Sequence, residues 1–232
     1  MLLKPWCAER GLPCPSVSTI GRIISRAPDK MRVIPTRLDA KGRPKPVKRD
    51  KKVRKPKRLK ISPLSFWAVD LIERVRDGIR RYILTLVDPK SRIAFAVALP
   101  SKHSRNTAEV LKALLSANPM CKGLLSDNGS EFKGNFEALL KGHKITHYWT
   151  YPKSPKMNAH NERFNRTIQE SFVDFHEDLL FSDLGLFNRK MAEWLVEYNT
   201  VLPHHSVGLK PPIKWLIENH PECQRYWTNT VS

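Results

Sequence analysis

The charges of this chain are segregated, and that decides which part of it can fold by itself. Residues 1–60 hold 19 Lys and Arg against 4 Asp and Glu, a net of +15, whereas residues 61–232 hold 22 against 18. From Lys41 to Lys60 there are twelve basic residues, one acid (Asp50), and Pro44, Pro46 and Pro56. Such a stretch repels itself, buries no apolar surface, and is expected to be disordered when free. Charge of one sign at this density calls for a polyanionic partner, a nucleic acid or an acidic membrane surface. Nucleic acid is the better fit, because solubility alone does not require it and counterion release would bind such an arm to DNA.

Other classes fall away on composition. No apolar run approaches the ~20 residues of a membrane span. The opening residues, Met1 to Cys7, lack the ~7–15-residue apolar stretch of a signal peptide. Cys7, Cys14, Cys121 and Cys223 are scattered and form no disulfide framework, so a reducing, cytoplasmic setting is expected. Cys7 and Cys14 also lack the further ligands of a zinc knuckle.

Three zones follow. In residues 1–29, Ser16 is placed to cap a short helix with Val17, Ile20, Ile23 and Ile24 as its apolar positions. Residues 30–60 are the basic linker. Residues 61–232 form the globular part. Phe66–Ile72, Tyr82–Val87 and Ile93–Leu99 read as three strands of an antiparallel meander, with a turn at Asp88–Ser91. Thr107–Ala117 has helical spacing, Gly123–Ser126 is a short buried strand, Phe132–Lys141 a helix and Lys144–Trp149 a strand. After a polar loop, helices are predicted over about 160–175, 184–198, and from Pro211-Pro212 onward. This order predicts an α/β fold, a mixed five-stranded sheet with helices on both faces.

Three carboxylates stand in unusual places. Asp70 lies inside an apolar strand, where Asp is depleted. Asp127 follows a buried strand, the position where ligand sites form in α/β sheets. Glu162 falls in the first turn of the long helix. At ~100° per residue, Asn165, Arg166 and Gln169 share its face within about 60°, while Phe164, Ile168, Phe172 and Phe175 share another. Each acid has an ordinary reading by itself: a buried ion pair for Asp70, an Asx turn for Asp127, and a helix N-terminal acid for Glu162. Taken together they point to metal, because three converging carboxylates repel and at least one would take up a proton. An all-oxygen set suits Mg²⁺ or Mn²⁺. Two such ions ~3.5–4 Å apart hold the attacking and leaving oxygens of a phosphodiester displacement. Asp70 would bridge both ions, with Asp127 and Glu162 completing one site each.

Four stretches occur in order: Trp67-Ala68-Val69-Asp70; Ser126 to Phe132; Tyr151 to Arg166; and Tyr198-Asn199 with Pro203 to Leu209. Thirty-four residues separate Asp127 from Glu162. Together these stretches resemble the DDE transposase/integrase superfamily of bacterial insertion sequences over about residues 61–220, where the usual spacing is about 35. The resemblance implies an RNase H-like fold and metal-dependent DNA strand cleavage and transfer by Asp70, Asp127 and Glu162. Water first frees a 3′-hydroxyl at the element end. That hydroxyl then attacks target DNA with no covalent protein intermediate. The resemblance also implies DNA contacts from Lys153 and Lys156 in the active-site loop and from Asn165, Arg166 and Gln169 on the helix. Residues 16–25 resemble the recognition helix of a partial helix-turn-helix. A homo-oligomer assembled on DNA is expected, since joining two ends needs at least two protomers. A nucleoid-associated protein in a bacterial cytoplasm is expected too. Leu202 departs from the pattern, standing where relatives usually have Arg before Pro-His. Two other readings compete: a relative that binds DNA without chemistry, and an RNase H-type nuclease. Trp149 and Tyr151, flanking the loop, could pack or stack on a splayed base, and packing is favoured for Trp149.

Overall fold

The computed structural model of the chain describes residues 3–26, 52–56, 59–151 and 158–226. The chain divides into two compact units, Met1–Lys51 and Lys52–Ser232. Most of the expected linker, and the loop that carries Lys153 and Lys156, lie outside the described residues.

In the first unit, α1 spans Leu3–Glu9 and α2 spans Val17–Arg26. Ser16 caps α2 as its position predicts, its Oγ accepting from the Thr19 amide at 3.2 Å. Val17, expected on the apolar face, is exposed.

The second unit is built on a five-stranded sheet in the order β3-β2-β1-β4-β5. Its strands are β1 (Phe66–Arg76), β2 (Ile79–Val87), β3 (Ala94–Leu99), β4 (Gly123–Ser126) and β5 (Thr146–Trp149). The first three form the antiparallel meander; β4 pairs parallel with both β1 and β5. Alternation along the strands sorts side chains into two cores. Trp67, Val69, Leu84 and Leu86 face α3 (Ser104–Ala117) and α4 (Asn135–Gly142). Ile72, Ile83, Val87 and the three alanines of β3 face α5 (Ala159–Ile168) and α7 (Leu184–Thr200). Burial on both faces explains why Tyr82–Val87 is almost continuously apolar. The short α6 (Glu177–Ser182) closes the second layer and α8 (Pro212–Asn219) packs Leu216 into the first. At Gly123 a Cβ would come within 2.9 Å of the Phe66 ring, so only glycine lets Phe66 and Tyr148 close over this strand.

The edge strand β3 is covered by amides from α7. Asn199 accepts from the Ala94 amide at 3.0 Å and donates to the Ala94 carbonyl at 2.9 Å. Asn188 does the same at Ala98, at 2.8 and 3.0 Å. The alanine side chains of β3 leave room for α7 to approach this closely. The opposite edge, β5, is met by the end of the basic segment: the Trp149 amide donates to the Val53 carbonyl at 2.9 Å, and Arg54 bridges Trp149 in parallel.

Besides the unexpected α1 and α6, three departures from the sequence reading stand out. First, β1 and β2 run four and three residues further, joined by Asp77-Gly78. Both central residues have positive φ (50° and 77°), the geometry of a type I′ hairpin. This tip is charged and exposed because it extends past the core, where Arg80 pairs with Glu73 at 2.5 Å. Second, the helix expected over about 160–175 is α-helical only to Ile168 and continues as a π turn, Gln169–Val173. The altered winding keeps Phe172 and Val173 in the core and leaves Phe175 exposed. Third, the helix expected over Phe132–Lys141 is split: Ser130–Phe132 forms a 3₁₀ turn before α4 begins at Asn135.

Candidate active site

The site grows from one polar pair in the apolar sheet. Asp70 on β1 and Thr85 on β2 are cross-strand partners on the face that α5 covers. Asn165 of α5 reaches both. Its Nδ2 donates to Asp70 Oδ2 at 3.0 Å, and its Oδ1 accepts from the Thr85 hydroxyl at 2.7 Å. The Leu71 amide donates to the other Asp70 oxygen at 2.9 Å. Asp70 is therefore held in one orientation by strand, helix and neighbouring strand together. It has no ion pair among the described residues, so the buried salt bridge that would explain it structurally is not what holds it there.

Asp127 follows β4, which lies parallel beside β1. Its Oδ1 accepts from the Gly129 amide at 2.9 Å, making the Asx turn its sequence suggests, and the residue is exposed. Glu162 is in the first turn of α5 and is also exposed. All three carboxylates share one electrostatic neighbourhood. Burial, first, and the charges of Asp127 and Glu162 push the Asp70 carboxyl up to about 6, against the pull of its bonds to Leu71 and Asn165. They are not drawn together around a common point: among the described residues no three acidic, histidine or cysteine side chains stand ready to hold one ion. The donor set nonetheless suits a hard divalent cation, with one carboxylate held rigid and two exposed ones able to turn toward it.

The other expected contact residues take different positions. Arg166 is exposed and lines a cleft of about 440 Å³ with Glu162 and Arg163. Gln169 is half-buried, its amide donating to the Asn165 carbonyl at 2.9 Å. Asn165, expected to touch DNA, has its side chain engaged with Asp70 and Thr85 instead. Trp149 is 3% exposed, in keeping with a packing role, and the Lys52 ammonium sits 3.9 Å from its ring centre. Tyr151 is exposed, under the Arg54 guanidinium. Lys52 also donates to Asn128 Oδ1 at 2.6 Å, beside Asp127. Leu202, the departure in the closing motif, packs against the second core layer.

Two family models, both described as integrase core domain, match residues 62–155 and 143–212. The chain is a member of the DDE transposase/integrase superfamily. Among curated relatives, an uncharacterized insertion-element protein of Xanthomonas euvesicatoria is 29% identical over 158 residues, 66% of this chain and 44% of its own length. The transposase InsI of an Escherichia coli insertion sequence is 32% identical over 112 residues, 47% of this chain and 28% of its own. This integrase-core chain thus spans less than half the length of these relatives. Two solved structures share its fold at 17% identity. The catalytic core domain of HTLV-2 integrase, solved in complex with magnesium, superposes with a TM-score of 0.53 over 66% of this chain and 95% of that one. A chain of the simian T-cell lymphotropic virus intasome, solved in complex with PP2A regulatory subunit B56 gamma, gives 0.59 over 75% of this chain and 61% of that one. The five-stranded mixed sheet with helices on both faces is the RNase H-like fold of this superfamily.

Thr85 is the site residue that sequence reasoning missed. Its signal was the one used for Asp70, a lone polar residue in an apolar strand, but a threonine suits a strand well and draws no notice.

Proposed function

We propose that this integrase core is a DNA recombinase whose catalytic carboxylates are Asp70, Asp127 and Glu162. The observation that carries this reading is that the charges of two exposed carboxylates act on a third that is half-buried, oriented and held well above its ordinary pKa. An ionised Asp half-buried in an apolar sheet, with its pKa raised and no cationic partner among the described residues, fits a site whose charge is balanced by bound cations. The three carboxylates would hold Mg²⁺ or Mn²⁺, which supply a polarised hydroxyl nucleophile and stabilise the leaving oxygen of the phosphodiester. Asn165, itself held by Thr85, fixes Asp70 in one orientation. Asp127, on a short turn, and Glu162, on the first helical turn, would swing toward it around a bound ion. Arg166, beside Glu162, is placed to meet the DNA backbone. In this reading the first unit and the basic segment contact DNA, and protomers assemble on two DNA ends.

The test is nicking and strand transfer on plasmid DNA with Mg²⁺ or Mn²⁺, wild type beside Asp127→Asn. Metal-dependent products that disappear in the variant, with DNA binding retained, are expected. Equal products from both proteins would remove Asp127 from the chemistry. Preferential cleavage of an RNA–DNA hybrid would point to a nuclease instead.

A further inference from the structure

Behind the Glu162 face of α5 lies a second cleft, of about 490 Å³, which none of the site residues above explains. Its lining is largely apolar but includes two arginines. Arg92 enters from the β2–β3 turn with φ +70°, a left-handed conformation that a branched-off side chain adopts only under constraint. Its Nε donates to Ser206 Oγ at 2.9 Å, and its guanidinium meets His160 Nδ1. Arg163 of α5 lines the opposite wall, exposed, with no ion pair or side-chain hydrogen bond among the described residues. His204 completes the lining. Neither arginine pairs with a carboxylate among the described residues. Asp88 is close enough for its charge to act on Arg92, but its oxygens already accept from Leu64, Lys90 and Ser91.

A cleft that holds two arginines with no carboxylate partner among the described residues is suited to an anion. A planar guanidinium with free donors selects an oxyanion such as phosphate. The cleft shares Ala159, Arg163 and Thr167 with the smaller one lined by Glu162 and Arg166, so the two adjoin along α5.

We propose that this cleft binds a backbone phosphate of the DNA strand that runs to the active site, with Arg92 and Arg163 as its two cationic contacts. The inference rests on the reading of the protein as a DNA recombinase. Its test is therefore made in chelator, where no cleavage occurs and loss of chemistry cannot be mistaken for loss of the site. Binding of the full chain to a short DNA duplex is followed by fluorescence anisotropy across a salt series, for wild type, Arg163→Gln, Arg92→Gln and Lys112→Gln. Arg163 carries no side-chain bond among the described residues, so its variant stays folded even if Arg92→Gln does not. Lys112 lies exposed on α3 and controls for the loss of one positive charge. Each arginine variant is expected to weaken binding about three- to tenfold and to reduce the slope of log K against log salt by about 0.9, one phosphate contact. Lys112→Gln should change neither. Wild-type affinity and slope in Arg163→Gln, or an equal loss in Lys112→Gln, overturns the proposal.

Discussion

Asp70→Asn should make the metal-free protein more stable at neutral pH while abolishing its chemistry. The Asp70 carboxyl is raised from its ordinary 3.8 to about 6, first by burial and then by Asp127 and Glu162. A raised carboxyl binds its proton more tightly when folded than when unfolded. Stability is therefore greatest below the unfolded value and falls as pH rises through the folded one. Across that window the ionised side chain costs about 3 kcal/mol at neutral pH. Asparagine removes the charge and keeps the shape. Its carbonyl can still accept from the Leu71 amide. Asn165 can turn its amide over, because the Thr85 hydroxyl accepts as readily as it donates. The hydrogen-bond chain then survives and most of the 3 kcal/mol is recovered. The assay is urea unfolding of both proteins in EDTA at pH 7.5 and at pH 4. The variant should lead by about 2–3 kcal/mol at the higher pH and by little at the lower. Added Mg²⁺ should raise the midpoint of the wild type and leave the variant where it was. A variant less stable than wild type at pH 7.5 would refute the argument that repulsion and burial strain this carboxylate.

Two further outcomes follow from particular contacts. Thr85→Val removes the hydroxyl that positions Asn165, and Asn165→Ala removes the amide that positions Asp70; each should slow metal-dependent cleavage about 10–100-fold with DNA binding unchanged, as gel-shift and nicking assays on the same preparations would show. Asn199→Ala strips both partners from Ala94 on the sheet edge and should lower unfolding stability by about 2–4 kcal/mol and promote self-association, a loss under about 1 kcal/mol in urea unfolding counting against the edge-cover role.

What was legible in the sequence is what the strong local signals carry. The strands of the sheet stood out because burial on both faces leaves near-continuous apolar runs, and Asp70 stood out because it interrupts one. The hairpin tip was misjudged because Glu73 to Arg81 is too charged for a core strand. Those residues lie beyond the core, and the Asp77-Gly78 pair at their centre was the clearer guide. The π turn after Ile168 leaves no trace in spacing, since Phe172 fits either winding. Asn165 illustrates a different limit. Its angle on the helix placed it correctly beside Glu162, yet angle alone cannot say whether an amide faces a ligand or a neighbouring carboxylate. Only the register of β1 against β2, which sets Thr85 opposite Asp70, decides that. Arg92 and Arg163 could not be paired in advance, because 70 residues separate them and the left-handed turn at Arg92 is what brings its side chain to Ser206 and His160.

The uneven holding of the three carboxylates has a physical reason. Three acids fixed within ligating distance of one point would force a proton onto at least one of them whenever no cation was bound. This fold fixes only Asp70, between two strands and a helix. Both outer edges of that sheet are closed, one by Asn188 and Asn199, the other by Val53 and Arg54, so β1 has little freedom to shift. Asp127 sits past the end of a four-residue strand and Glu162 on an opening helical turn, both exposed to water. The protein thus stores its electrostatic strain in a single buried group and leaves the other two to be gathered by whatever neutralises it. Rigidity at Asp70 and freedom at Asp127 and Glu162 follow from the same repulsion.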